Sequence, residues 1–330
     1  MEKILVIGAN GQIGSELVLA LSAQHGAERV IASDIGSNLH RATQYEQLDV
    51  LDAARMAQLI AHHQVTQVYQ LAAMLSVTGE QAPVKAWTLN MDGLLNILEI
   101  ARERAQAGTP LRVFWPSSIA AFGPNTPAVA TPQTTIMDPT TMYGISKLAG
   151  ERLCEYYFQK FGVDVRSIRY PGIISYKSPP GGGTTDYAIA IFHAAVQGDC
   201  YECYLGPDTT LPMMYMPDAI RATIALMDAP GAQIRVRSSY NVAGVSFNPS
   251  QLAQAIRRAL PQFEIRYAPD QRQTIADSWP QSLDDSEARA DWGWQAQVDL
   301  DRMVADMLEN IAAQKNMTLD DSAKIRACAI

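Results

Sequence analysis

The stretch Gly8-Ala9-Asn10-Gly11-Gln12-Ile13-Gly14 decides the fold of this chain. It follows an apolar run at residues 3–7 and precedes a helical pattern that carries Leu17 and Leu21. Glycines let the backbone turn tightly and approach a pyrophosphate closely, and the start of the next helix offers free N–H groups and partial positive charge. The stretch therefore predicts a strand–turn–helix unit that binds a dinucleotide through Gly8, Asn10, Gly11, Gln12, Ile13 and Gly14.

An acidic residue at the end of the second predicted strand, residues 29–33, indicates which dinucleotide is bound. Asp34 lies 20 residues beyond Gly14, where a carboxylate can bind both ribose hydroxyls of NAD. The same charge would repel the 2′-phosphate of NADP, and Ile35 and Gly36 offer no compensating charge. We therefore expect NAD as the cofactor; the alternative is a helix-entry turn beside a surface aspartate.

Apolar and helical segments alternate along the first half of the chain. Strand candidates at 67–71, 112–116 and 165–170 alternate with helical patterns at 94–104 and 142–161. This alternation is typical of a parallel sheet covered on both faces. We predict an α/β fold, a Rossmann-type doubly wound parallel sheet with a smaller C-terminal substrate-binding lobe.

The pattern breaks after Pro171, and residues 175–185 are rich in Ser, Pro, Gly and Thr, which predicts a loop. We expect residues 1–171 plus about 214–245 to form the NAD-binding domain. Residues of about 172–213 plus 246–330 would form the substrate-binding lobe. The last fifteen residues show no clear pattern, and their structure is left open.

Composition excludes several classes of partner. Lys plus Arg is 26 and Asp plus Glu is 34, so the net charge is −8 with no basic block, which argues against nucleic acid and anionic membranes. No apolar run approaches the ~18 residues that span a bilayer, and the N-terminus reads as a strand, not a signal peptide.

Four cysteines in 330 residues, namely Cys154, Cys200, Cys203 and Cys328, are too few for a disulfide framework and favour a reduced, cytoplasmic setting. Cys200 and Cys203 have the spacing of a half zinc site, but no second ligand pair accompanies them. We therefore expect no metal.

Tyr143 and Lys147 supply the expected chemistry. Residues four apart share one face of a helix, so the two side chains point the same way. An ammonium close to a phenol lowers the pKa of the phenol, and the positive nicotinamide ring would lower it further. The phenolate can then take a proton from a substrate hydroxyl while hydride leaves the same carbon.

These motifs together resemble the short-chain dehydrogenase/reductase superfamily, in its extended, sugar-epimerase-like branch. The resemblance rests on glycines at positions 1, 4 and 7 of the turn and on the Tyr143–Lys147 pair. It implies that Ser118, 25 residues before Tyr143, orients the substrate oxygen, and that Ser117 assists it. It also implies further cofactor contacts at Asp49, Val50, Leu71, Ala72, Ala73, Asn90, Tyr170, Pro171 and Ile173.

Two longer runs narrow the resemblance to the short-chain L-threonine dehydrogenases. One covers 169–188, with its Gly-Gly-Gly-Thr-Thr segment, and the other covers 278–294. The resemblance implies NAD-dependent oxidation of L-threonine to 2-amino-3-oxobutyrate, in a homodimer joined by helices near 87–104 and 143–160. The substrate contacts that it implies are Ser76, Ser117, Ser118, Tyr143, Gly183, Thr184, Thr185 and Trp279.

Two alternatives stay open from the sequence. One is a nucleotide-sugar epimerase or dehydratase, although this chain has Pro171-Gly172 where those enzymes usually carry an asparagine. The other is a catalytically inactive NAD-sensing regulator, against which the intact Ser118, Tyr143 and Lys147 argue. A serine hydrolase is discounted, because no Gly-x-Ser-x-Gly turn and no paired histidine motif accompany it.

Overall fold

The computed structural model describes residues 2–39, 44–181 and 183–327, with side chains as far as residue 315; Cys328 lies outside these ranges. The strands are β1 (Ile4–Ile7), β2 (Val30–Asp34), β3 (Gln44–Gln47), β4 (Gln67–Gln70), β5 (Arg112–Ser118), β6 (Val165–Tyr170), β7 (Gly172–Ile174), β8 (Tyr201–Cys203), β9 (Leu211–Tyr215), β10 (Tyr240–Asn241), β11 (Val245–Phe247) and β12 (Ile265–Tyr267). The helices are α1 (Gln12–His25), α2 (Ala53–His62), α3 (Ser76–Gln81), α4 (Pro83–Trp87), α5 (Gly93–Gln106), α6 (Met142–Phe161), α7 (Tyr187–Gln197), α8 (Met216–Asp228), α9 (Pro249–Ala259), α10 (Gln271–Asp277), α11 (Ser286–Trp292) and α12 (Leu300–Ala327).

A seven-stranded sheet, in the order β10-β6-β5-β4-β1-β2-β3, forms the centre of the molecule. Every pairing in it is parallel. Alternate residues of β1 enter different cores: Ile4 and Val6 pack with α1 and α8, whereas Leu5 and Ile7 pack with α2, α5 and α6. Both faces are therefore covered, as the predicted doubly wound fold requires, and the fold class is confirmed.

The chain after β6 builds a smaller lobe. It contains a three-stranded sheet, β11-β9-β7, and a two-stranded sheet, β12-β8. Helices α7, α9 and α12 pack on one another around a core that includes Phe192, Phe247 and Met307. Strand β10 returns to the central sheet beside β6. The proposed domain boundaries at 171, 214 and 245 stay a prediction.

Two elements of the structure were not expected from the sequence, a strand at the edge of the central sheet and a π-helical turn before α5. Strand β3 was not predicted, because its sequence Gln-Tyr-Glu-Gln is polar and it pairs only with β2 at the sheet edge. A π-helical turn at Thr88–Asp92 precedes α5, and it too has no sequence signal. Among the described residues, no helix has the length and apolarity needed to cross a membrane.

Helix α6 lies very close to β5, and two glycines make this approach possible. A Cβ atom at Gly150 would overlap the ring of the buried Trp115. A Cβ atom at Gly144 would overlap the carbonyl oxygen of Ala120 in the turn that follows β5. The position of α6 on the sheet is therefore fixed by residues without side chains.

We expect Gly150→Ala to lower the free energy of unfolding by roughly 1–3 kcal/mol, because overpacking against Trp115 forces the helix or the ring to move. A urea titration measures this change. Gly79→Ala in α3 is the matched control, since the nearest atom to its new Cβ is 3.5 Å away. Equal stability of the two variants would contradict the close approach.

Candidate active site

A cavity at the carboxyl edge of the central sheet, facing the smaller lobe, collects most of the predicted site residues. Its wall is formed by the ends of several strands, the glycine turn, the start of α6 and the loop before α7. The predicted residues that line it are Gly8, Gly11, Gln12, Ile13, Gly14, Leu71, Ala73, Ser76, Ser117, Ser118, Tyr143, Lys147, Tyr170, Pro171, Ile173, Gly183, Thr184, Thr185 and Trp279.

The glycine turn has the geometry that a pyrophosphate requires. Gly8 has a φ of +84°, and a Cβ there would come within 2.8 Å of the Ala72 nitrogen. A Cβ at Gly14 would overlap the carbonyl oxygen of Gly8. Helix α1 begins at Gln12 with no side-chain cap, so the N–H groups of its first turn have no side-chain partner. These residues fit a bound NAD phosphate group.

Asp34 lies against this turn but does not line the cavity. Its carboxylate accepts hydrogen bonds from the backbone N–H of Asn10 (2.9 Å) and of Gly36 (3.3 Å). The Asn10 side chain donates to the Ser37 carbonyl at 2.9 Å. Asp34 therefore holds the turn in place, and its contact with the ribose stays a prediction.

Four other predicted cofactor residues are not among those that line the cavity, and their cofactor contacts stay predictions. The carboxylate of Asp49 accepts from the Leu51 N–H at 2.9 Å, and the buried Val50 packs against Gly93. Ala72 lies behind Gly8. The buried Asn90 belongs to the π-helical turn, and its amide bonds the backbone of Met74 and the hydroxyl of Ser146.

Asn90 therefore braces the segment that leads to Ser76, and its predicted contact with the cofactor stays a prediction. Its link to the active site runs through Ser146, which donates to the Tyr143 carbonyl at 2.7 Å.

Sequence reasoning missed five residues that line the cavity: Leu75, Pro116, Ile119, Gly172 and Asp186.

Tyr143 and Lys147 lie on one face of α6, as their spacing predicts. The hydroxyl of Thr141 caps this helix by accepting the Gly144 N–H at 3.0 Å. The Lys147 ammonium lies 5.4 Å from the centre of the Tyr143 ring and 4.4 Å from that of Trp115. It donates a hydrogen bond of 2.7 Å to the Pro116 carbonyl. The pair is thus anchored directly to the end of β5.

Burial controls the ionisation of both groups. It raises the pKa of Tyr143 to about 12, although a hydrogen bond with the Ser118 hydroxyl opposes the change. It lowers the pKa of Lys147 to about 7. The expected lowering of the phenol pKa is therefore wrong for the chain by itself, because a low-dielectric interior disfavours the charged form of each group.

The two serines differ in their partners. Ser118 ends β5, lies beside the Tyr143 phenol, whose pKa it lowers, and caps the next turn by accepting the Ala120 N–H at 3.2 Å. The Ser117 hydroxyl donates to the buried carboxylate of Glu151 at 2.6 Å. Ser118 therefore lies beside Tyr143 in the cavity, and the predicted substrate contacts of Ser118 and Ser117 stay predictions.

The opposite wall comes from the smaller lobe. Thr184 is 1% exposed, and its hydroxyl oxygen has no hydrogen-bond partner in the described structure. Asp186 accepts the backbone N–H groups of Gly181 and Gly183, each at 2.7 Å. Asp186 is the one acidic side chain among the described residues that line the cavity. Since buried hydroxyls usually have a hydrogen-bond partner, the Thr184 hydroxyl is available to bond a polar group in the cavity.

Comparisons with known proteins agree with this geometry. The model of the NAD dependent epimerase/dehydratase family matches residues 4–243. An uncharacterized epimerase/dehydratase of Staphylococcus saprophyticus is 48% identical over 96% of this chain and 98% of its own length. These matches confirm the resemblance read from the motifs, and they support NAD as the cofactor.

Two solved structures are similar over nearly the whole chain. A partial consensus L-threonine 3-dehydrogenase is 61% identical, with a TM-score of 0.91, over 94% of this chain and 99% of that one. The holo form of a GalE-like L-threonine dehydrogenase from Cupriavidus necator is also 61% identical, with a TM-score of 0.89 and the same coverage.

We expect Asp34→Asn to narrow the preference for NAD+ over NADP+ by about tenfold or more, because it removes the charge that would face a 2′-phosphate. Asparagine keeps an oxygen that can accept the Asn10 N–H, so the turn should persist. The ratio of kcat/KM for the two cofactors measures the effect. If the variant is as stable as the wild type and the ratio of kcat/KM does not change, Asp34 only holds the turn and does not select the cofactor.

Proposed function

Since the chain belongs to the NAD dependent epimerase/dehydratase family, we propose that it oxidises L-threonine at the 3-hydroxyl group, giving 2-amino-3-oxobutyrate and NADH. The observation that carries the proposal is the unpartnered Thr184 hydroxyl, buried in the same cavity as Ser118 and Tyr143. The similarity to L-threonine dehydrogenase structures supports it.

The residues of the cavity can perform this reaction. Ser118 holds the substrate hydroxyl against Tyr143, whose phenolate accepts the hydroxyl proton. The electron pair of the C3–H bond leaves as hydride, and a carbonyl forms at C3. NAD+ supplies the hydride acceptor and a positive charge. Lys147 holds its own charge close to the phenol and, since it lines the same cavity, would hold the nicotinamide ribose of the cofactor.

The substrate end of the cavity suits an amino acid. A carboxylate would take the hydroxyls and N–H groups of Ser76, Thr184 and Thr185, and Trp279 would form the apolar wall. An ammonium needs an anion, and Asp186 is the acidic side chain of this wall. Two of its backbone partners come from the same loop, so the carboxylate is held in place.

NADH formation with a panel of substrates tests the proposed function. We expect turnover with L-threonine and none with a UDP-sugar. Tyr143→Phe should lose about 10²–10⁴ in kcat, the usual contribution of a general base, while NAD+ binding persists. Turnover of the UDP-sugar would favour an epimerase or dehydratase, and NAD+ binding with no turnover of any substrate would favour a regulator.

Asp186→Asn should reduce kcat/KM for L-threonine by about tenfold to a hundredfold, because an ion pair with the ammonium is lost. The matched comparison is 3-hydroxybutyrate, which has the same hydroxyl and carboxylate but no ammonium. Its kinetics as a substrate or competitive inhibitor should not change. Equal losses for both compounds would show that Asp186 only orders the loop.

We also propose a homodimer. Exposed apolar side chains lie on α4 and α6, among them Val84, Trp87, Ile145 and Tyr156. Helices α5 and α6 pack together, so their outer faces could form a four-helix bundle with a second copy. Analytical ultracentrifugation at micromolar protein concentration should show a dimer, and a monomer there would contradict this proposal.

We also propose a reduced, cytoplasmic setting, because the chain has few cysteines and Cys154, Cys200 and Cys203 are free.

A further inference from the structure

A carboxylate that the reaction itself does not use is buried directly behind the active site. The side chain of Glu151 is fully buried on α6, one helical turn after Lys147. It accepts the hydroxyl of Ser117 at 2.6 Å. It also forms a bidentate pair with Arg169, at 2.9 Å from Nε and 2.7 Å from Nη2. Removing two charges from water costs desolvation free energy, so a contribution to stability alone does not explain why this pair is buried here.

Arg169 joins this carboxylate to the rest of the site. Its Nη1 donates to the Gln133 carbonyl (2.9 Å) and to the Asn241 side chain (3.0 Å). Asn241 in turn donates to the carbonyls of Thr131 and Asp284, close to the segment that carries Trp279. The pair therefore links β5, α6 and β10 with the loops at residues 131–133 and at Asp284.

The charges around Lys147 are few. The titratable groups that act on it are Cys154 and Glu151, and Glu151 is itself paired with the Arg169 guanidinium. The other contacts of Lys147 are the rings of Tyr143 and Trp115 and the Pro116 carbonyl. Burial lowers the pKa of Lys147, and Glu151 opposes this effect, since a carboxylate favours the ammonium form. Residues four apart on a helix lie on the same face.

We propose that Glu151 is a positioning residue of this active site, whose carboxylate holds the Ser117 hydroxyl in place and supplies the negative charge that keeps Lys147 protonated beside Tyr143. The salt bridge with Arg169 fixes that carboxylate. The charge on Lys147 favours the phenolate of Tyr143, so the loss of Glu151 acts on the base through the lysine.

The direct test is the titration of Lys147 by NMR in protein labelled with ¹³C at the lysine ε-carbon, with Lys147→Met to assign the signal. In Glu151→Gln the pKa of Lys147 should fall by about one unit or more. Glu151→Asp keeps the charge and should restore most of the wild-type value. An unchanged titration in Glu151→Gln would overturn the proposal.

Asp164→Asn is the matched control. Asp164 also pairs with a buried arginine of β6, Arg166, but at the opposite end of the strand. We expect Lys147 to titrate normally in this variant, and an equal shift would mean that general loosening is responsible. Should Glu151→Gln not fold, Glu151→Gln with Arg169→Gln removes both buried charges together. A smaller fall in the Lys147 pKa is expected there, because a cation and an anion are removed together and Glu151 is the nearer of the two along α6. A Lys147 pKa that does not fall overturns the proposal.

A second readout rests on the proposed function, because it needs threonine turnover. In Glu151→Gln, kcat should reach half of its plateau at a higher pH than in the wild type, while the KM for threonine changes less than kcat. A wild type that does not oxidise threonine would refute the proposed function only, since the NMR titration decides the role of Glu151 independently.

Discussion

The contact between α6 and β5 is the constraint on which the rest of the site depends. Gly144 and Gly150 allow the helix to lie on the sheet with no side chain between them. This brings the Lys147 ammonium within 2.7 Å of the Pro116 carbonyl, near the end of the strand, and places Tyr143 beside Ser118. A side chain at either glycine would separate Tyr143 from the strand end that carries Ser118. The geometry of the candidate site is therefore a consequence of helix–sheet packing.

The sequence predicts those features that repeat or that lie close together along the chain. Alternating apolar runs indicate the parallel sheet, and the bounds of α6 and β6 follow from local patterns. The partners of Ser117 and Asn90 could not be predicted, because Glu151 and Ser146 lie 34 and 56 residues away from them. Asp186 was missed for a related reason: a single acidic residue after a glycine loop has no periodicity, and only the folded cavity shows what it faces.

Burial in the site disfavours the charged forms of both Tyr143 and Lys147. It moves the pKa of Tyr143 to about 12 and that of Lys147 to about 7, so in the chain alone the lysine loses its proton before the tyrosine does. This order is the reverse of what a phenolate base needs. The site must therefore gain favourable charge from somewhere, and two sources fit: the cation of the bound cofactor and carboxylates fixed in the protein.

Strand β6 shows how differently two equally buried arginines can be used. Arg166, at the start of the strand, donates to the carbonyls of Leu226 and Met227 at the end of α8, where a cation suits the helix dipole. All of these contacts of Arg166 stabilise the packing of β6 against α8. Arg169, three residues later, faces the carboxyl edge, where its partner Glu151 touches a cavity residue directly. The desolvation cost of each guanidinium is similar, so stability alone does not explain why the second one sits beside the active site. Its position at the ligand-binding edge of the sheet does, because only there can a buried ion pair act on the groups that carry out chemistry.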